Sequence, residues 1–209
     1  MIGMSLAAPL TEIIVRGEPA MKKLLGAIFL LLPGIVFAVP ITYIYDGSGS
    51  GTLGVNGFSG AFTITALADT DNILPWVNAD LQNTHLSTVI DIQGLGTFTI
   101  NAASHTWIAN GCCGGIGADL AANWITISEA AFHSVGYALD TNLGPILDNT
   151  PTNVVQFQNV ATSGGALSFS DIAWITFTSS LVSVPEPGTL ALLGIGLAGM
   201  GLARRRKKV

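Results

Sequence analysis

Between Leu24 and Ala203 the chain contains no lysine and no arginine. All eight basic residues lie towards the ends: Arg16, Lys22 and Lys23, then Arg204, Arg205, Arg206, Lys207 and Lys208. Nucleic-acid binding draws most of its affinity from such side chains neutralising phosphates, so the middle of the chain is excluded as a nucleic-acid binder. A phosphoryl-transfer site loses its usual cationic clamp for the same reason. Charge of either sign is scarce, at 10% of residues against 49% hydrophobic. That balance is too apolar for a disordered chain. What charge there is in the middle is negative: eleven carboxylates run from Asp46 to Glu186. A neutral glycan, a divalent cation or a second copy of the chain remain compatible partners.

Reactive side chains are equally few. The two cysteines are adjacent, Cys112-Cys113, which lacks the ligand spacing of a zinc site. In an oxidising compartment they have three fates: a strained vicinal disulfide, free or intermolecular pairing, or an inert pair. The flanking Gly111, Gly114 and Gly115 supply the backbone freedom that a vicinal bond needs. The histidines are His85, His105 and His133, too far apart in sequence to share a helix turn, and ordinary core or surface roles fit them best. No serine sits in a Gly-x-Ser-x-Gly context, so no nucleophile elbow is indicated. Two Gly-x-Gly-x-x-Gly matches, at Gly49/Gly51/Gly54 and Gly194/Gly196/Gly199, lack the strand–turn–helix context of a dinucleotide site.

Both ends read as targeting segments. Met21-Lys22-Lys23 is followed by an apolar run, Leu24 to Phe37, and then Ala38. A short basic region, an apolar core and a small residue make a secretory signal peptide over 21–38, removed after Sec-type export. Residues 1–20 then read as an upstream start artefact, with translation beginning at Met21. At the other end, Pro185-Glu186-Pro187 precedes an uncharged span, Gly188 to Ala203, and the basic stop Arg204, Arg205, Arg206, Lys207 and Lys208. As a helix the span is about 24 Å long at 1.5 Å per residue. Bilayer thinning and snorkelling basic side chains cover the shortfall from a core about 30 Å thick. The basic cluster stays cytoplasmic, which leaves the preceding domain on the outer side.

This tripartite tail, 185–209, resembles the PEP-CTERM sorting signal of Gram-negative exported proteins. The resemblance implies processing by an exosortase, a membrane peptidase acting near Pro185-Glu186-Pro187. The chain is then the substrate, inserted transiently in the inner membrane and later placed at the cell surface or in the extracellular matrix. It also implies an association with exopolysaccharide or biofilm. The glycine-rich stretch from Ser48 to Asn72 is similar to segments of other such proteins and brings no activity with it.

The remaining domain, 39–184, has β patterning. Ala61 to Leu67 alternates, with Phe62 and Ile64 on one face and Thr63 and Thr65 on the other. Thr97–Ile100 and Trp174–Thr178 do the same, and Thr88–Ile92, Trp124–Ile127 and Val154–Phe157 are further short strands. Gly47–Gly51, Gly94, Gly96, Gly111–Gly117 and Gly164-Gly165 read as the breakers between them. Ser128 to Ser134 suits a turn or two of helix capped by Ser128. The pattern predicts an all-β domain, a single β-sandwich or jelly-roll, flanked by the signal peptide and a C-terminal transmembrane helix.

Within it, Asp69, Asp71 and Asn72 form an acidic loop with oxygen ligands at calcium-like spacing but without a bidentate Glu or the central Gly. The bland reading is a turn in which the side chains bond their own backbone. Trp76, Trp107, Trp124 and Trp174 are candidates for stacking on sugars or for filling the core, and Trp76, after Pro75, is expected to be the most exposed. The chain is expected to be non-enzymatic and to need no cofactor. The alternatives are a glycan-active enzyme using carboxylates such as Glu129, or a calcium-stabilised adhesin. The topology reading makes a direct prediction. Alkaline phosphatase fused just before Pro185 is expected to be active outside the cytoplasm, and a fusion active only as a cytosolic reporter refutes it.

Overall fold

In a computed structural model of the chain, the structure describes residues 38–77, 79–109, 111–119, 123–128, 132, 136–183, 194 and 196. Residues 21–37 of the segment read as a signal peptide, the Pro185-Glu186-Pro187 motif, the predicted span 188–203 apart from Gly194 and Gly196, and the basic stop lie outside the described residues, as do His133 and Glu129.

The described residues form ten strands: β1 (Pro40–Leu53), β2 (Asn56–Pro75), β3 (Leu81–Ile92), β4 (Gly96–Thr99), β5 (Ser104–Ala109), β6 (Cys113–Ala118), β7 (Asn123–Ile127), β8 (Leu143–Asp148), β9 (Val160–Thr162) and β10 (Gly165–Leu181). A 3₁₀ turn, Val154–Gln156, precedes β9. The all-β expectation is met. The strands do not divide into two sheets, however. They belong to one antiparallel sheet in the order β7-β6-β5-β3-β2-β1-β10-β8, with β4 added to β3 and β9 to β10.

Three long strands, β1, β2 and β10, run through the middle of this sheet and bend it round a single core. The bend is made at register shifts: at Ser48/Gly49 and Ser50/Gly51 against β10, and between Leu67 and Ile73 against β3. Bulges of this kind sharpen twist and let a sheet curl. The two curled ends meet. Thr126 and Thr152 exchange backbone hydrogen bonds of 2.9 and 3.0 Å, which ties β7 to the segment after β8. At the other end of the curl, Ile100 bridges Thr162, and the Asn101 N–H donates to the Ala161 carbonyl at 2.8 Å. The free edges are thereby largely covered, and the architecture is barrel-like.

The core is contiguous. Tyr43, Tyr45, Phe157, Phe169, Ile64, Ile90 and Ile175 are wholly buried. Phe177 meets Tyr45 at 5.3 Å and Phe132 at 5.4 Å between ring centroids, and Phe62 meets Phe169 at 4.8 Å. Each such ring contributes about 1.5–3 kcal/mol by burial.

The strands predicted at 61–67, 88–92, 97–100, 124–127 and 174–178 all fall in the sheet, with Ile100 as a bridge residue. Two readings are corrected. The predicted strand Val154–Phe157 is instead a 3₁₀ turn, Val154–Gln156, followed by Phe157 as its C-cap and opened by Asn153 in the left-handed region (φ 60°), which no strand accommodates. Gly47–Gly51 is not a breaker but the middle of β1. There the cross-strand partners of Gly47 and Gly51 are Phe62 and Phe58. Each ring lies over the bare glycine: a Cβ on Gly47 would sit 2.6 Å from Phe62 Cζ and 2.8 Å from the Trp174 carbonyl oxygen.

That crowding sets a prediction. Gly47→Ala is expected to cost about 1–3 kcal/mol and to lower Tm by several degrees in thermal denaturation followed by circular dichroism. Gly57→Ala, whose new Cβ would meet only the Gly51 carbonyl oxygen at 3.9 Å, is expected to leave Tm nearly unchanged.

Candidate functional site

Residues Gly111–Gly117, read from sequence as one breaker, hold a turn and then the strand β6. Ile116 faces the core, so Cys113, Gly115 and Gly117 face outward. Their cross-strand partners on β5 are Ala109, Trp107 and His105, and on β7 Gly115 and Gly117 pair with Thr126 and Trp124. On this face a central strand bare at Gly115 and Gly117 thus lies between two strands carrying aromatic rings. The rings lean over it: Trp107 and Trp124 come to 6.5 Å across the trough. His105 occupies the space where a Gly117 side chain would stand.

Trp76, in the connection from β2 to β3, closes the group. Its ring lies 5.9 Å from Trp124, 6.2 Å from Trp107 and 5.0 Å from His105. The connection is held in place by the Asp80 N–H, which donates to the Ile108 carbonyl at 2.9 Å. Trp76 is therefore only partly exposed, and Trp174 on β10, at 37% exposure, is the more exposed indole. This corrects the expectation for Trp76: burial against β5 and β7 outweighs its position after Pro75.

The indoles form one wall of a groove of about 340 Å³. Cys112 and Cys113, joined to each other by a disulfide, line it beside Ala109. Thr126, Ser128, Thr152 and Asn153 line it from the seam where the sheet closes. Asn153 Nδ2 donates to Thr126 Oγ1 at 2.9 Å, and the Asp148 carboxylate, buried below, accepts from the Ser128 N–H at 2.9 Å. No charged side chain lines the groove among the described residues. Trp107, 7% exposed, keeps a buried Nε1–H with no hydrogen-bond partner among the described residues. Sequence spacing did not unite these residues. The signal that marks them is the run of glycines at 114, 115 and 117 between two tryptophan-bearing strands.

Inside the curl a second polar group is fully engaged. His85 Nδ1 pairs with Ser104 Oγ at 2.9 Å and Thr88 Oγ1 at 3.1 Å, and its Nε2 pairs with Thr106 Oγ1 at 2.9 Å. Thr106 Oγ1 meets the Tyr45 hydroxyl at 2.8 Å, and that hydroxyl also donates to the Gly115 carbonyl at 3.1 Å. The His85–Ser104 pair has a base-and-hydroxyl geometry. Hydroxyls surround the ring on both sides, Ser104 is buried, and among the described residues no carboxylate orients the imidazole. Burial, and secondarily the neighbouring His105, push His85 down to about 3. Burial lowers His105 as well and raises the Tyr43 and Tyr45 phenols.

The acidic loop Asp69–Asn72 lies within β2 at its irregular end. Asp69 Oδ1 accepts from the Asp71 N–H at 2.9 Å, a side chain bonding its own turn. Thr70 Oγ1 accepts from the Val39 N–H at 3.2 Å. Among the described residues, no three His, Cys, Asp or Glu side chains gather to hold a metal ion.

Residues 183–207 match the PEP-CTERM protein-sorting motif. No curated protein and no solved structure matches the chain. The motif marks an exported protein, transiently anchored in the membrane and sorted by an exosortase.

The part-buried imidazole of His85 has a measurable consequence. An unfolded histidine binds a proton near pH 6.5, whereas folded His85 resists protonation down to about 3. Between those values the unfolded state holds more protons, so the contribution of His85 to stability is full above pH 6.5 and is lost as pH falls towards 3. Thermal melts between pH 7 and pH 4 are expected to show a steeper loss of Tm in the native protein than in His85→Gln. Equal slopes contradict this assignment.

Proposed function

We propose that this chain is a non-catalytic protein of the cell surface or extracellular matrix, released from the membrane by an exosortase and associated with exopolysaccharide. The observation that carries the reading is the sorting motif over 183–207. It places the chain on an export and sorting route, and it makes the chain the substrate of the peptidase.

The chemistry of the domain supports the same reading. With no Lys or Arg from Leu24 to Ala203, it offers nothing to a polyanionic ligand. Its outer strand faces carry threonines that bind neighbouring carboxylates, as Thr63 does with Asp46 at 2.6 Å and Thr97 with Asp91 at 2.5 Å. Such a surface is polar without being cationic, and it suits residence among hydrated neutral polymers. The function needs no cofactor in this reading: Asp69 is engaged in its own turn, and the histidine network is occupied by hydroxyls.

The sorting step is testable on the native protein. Mass spectrometry of the mature surface form is expected to find a C-terminus near Pro185-Glu186-Pro187, with the basic residues Arg204–Lys208 gone. A strain lacking its exosortase is expected to retain the uncleaved form in the membrane fraction. A mature protein that keeps its basic tail in the normal strain contradicts release and leaves a plain membrane anchor.

A further inference from the structure

We infer that the groove walled by Trp76, Trp107 and Trp124 is the binding site for a neutral glycan, with the Cys112–Cys113 disulfide as an apolar part of its wall. The inference rests on the matrix reading above and names the surface through which that association is made.

Among the described residues, an anionic ligand would find no cation on its wall, and a quaternary or metal cation would find no carboxylate lining it. The nearby Asp148 is buried and spends its oxygens on the Ser128 and Thr150 N–H groups. The indoles do not form an aromatic cage either. Their centroids stand 5.9–6.5 Å apart, which is ring-to-ring contact, so no cation fits between them. They present one continuous apolar surface.

A purely apolar ligand fits the opposite side poorly. There the lining is Thr126, Ser128, Thr152 and Asn153. Ser128 Oγ and Thr152 Oγ1 stand 3.5 Å apart, at the outer limit of a hydrogen bond, which leaves each hydroxyl with capacity to donate or accept. Trp107 adds the buried Nε1–H, which has no partner among the described residues, a donor whose desolvation is offset once an acceptor reaches it. An aromatic wall facing hydroxyls and an amide matches a ligand with an apolar C–H face and a rim of hydroxyl groups. A pyranose ring has both. The volume, about 340 Å³, falls at the small end of ligand sites and suits a short stretch of a polymer held across an open groove rather than a swallowed molecule.

The construction of the site is unusual enough to argue against chance packing. Indoles that merely filled space would be expected inside the curl, with the aliphatic and phenyl side chains of the core. These three stand on the outer face, over a strand stripped to glycine at Gly115 and Gly117. An alanine at Gly115 would collide with the Ile125 carbonyl, so the trough is built into the strand pairing itself.

The test uses the native protein purified from the producing strain and affinity electrophoresis through gels containing that strain's exopolysaccharide. The native protein is expected to be retarded, and the retardation to persist in 1 M salt. Trp76→Ala and Trp124→Ala are expected to weaken retention at least tenfold, while Trp76→Phe, which keeps a ring, retains part of it. Trp174→Ala, on β10 away from the groove, is expected to run as the native protein does. Near-ultraviolet circular dichroism and Tm confirm that each variant is folded, and cellohexaose added to the native protein is expected to shift its tryptophan fluorescence. Equal retention of all four variants overturns the groove as the site while leaving matrix association standing. Retention abolished by salt overturns the neutral-glycan assignment. A native protein that is not retarded overturns the matrix reading and this inference together.

Discussion

The structure depends on the close approach of aromatic rings to backbone that carries no side chain. In β1 the Phe62 and Phe58 rings lie over Gly47 and Gly51, and in β6 the His105 ring lies over Gly117. Phe98 does the same at Gly164, next to the β9–β10 turn. At each place a Cβ would sit inside van der Waals contact distance. The strands come close because the glycines have nothing to hold them apart, and the rings restore the apolar contact that the glycines cannot make. Glycine in a strand is ordinarily a loss of packing and of conformational entropy. Here Gly47, Gly51 and Gly117 are each paired with an aromatic neighbour, so the sheet keeps its cohesion while gaining the room to bend.

Bending has a second consequence. A ten-stranded sheet with open edges would expose rows of unpaired N–H and C=O groups. Curling brings β7 against the segment after β8, and the bridge at Ile100 against β9, so few of those groups remain free. The seam also creates the groove: Thr126 belongs to one edge, Thr152 and Asn153 to the other, and the tryptophan wall stands beside them. Closure of the sheet and construction of the candidate site are the same event. In a domain without a single lysine or arginine, edge protection by positive charge is not an option, and closure takes its place.

Much of the local structure was legible. The alternation at Ala61–Leu67 and at Trp174–Thr178 describes which side chains are buried, because a strand with one wet face must alternate. The reading failed where glycine was treated as punctuation. Gly47–Gly51 and Gly114–Gly117 are strand, and their role is visible only once Phe62, Phe58, Trp107 and His105 are placed opposite them. Val154–Phe157 failed for another reason: a run of apolar residues fits a strand until Asn153 turns the chain into a 3₁₀ turn. Trp76 looked exposed from its position after Pro75, and tertiary contact with two indoles reversed that.

By itself the sequence determined the sorting route and the lack of positive charge in the middle of the chain. Targeting depends on linear order and composition, as in the tail over 183–207, and a missing charge is missing in any fold. It also determined that the domain is β, because alternation is a local property. Which strands meet was decided by tertiary structure alone. So was the gathering of Trp76, Trp107 and Trp124 into one wall, and the facing of Thr126 to Thr152 across the seam. Those residues are brought together by pairing between distant strands, and non-local pairing is settled by the packing of the whole core rather than by any neighbour in the chain.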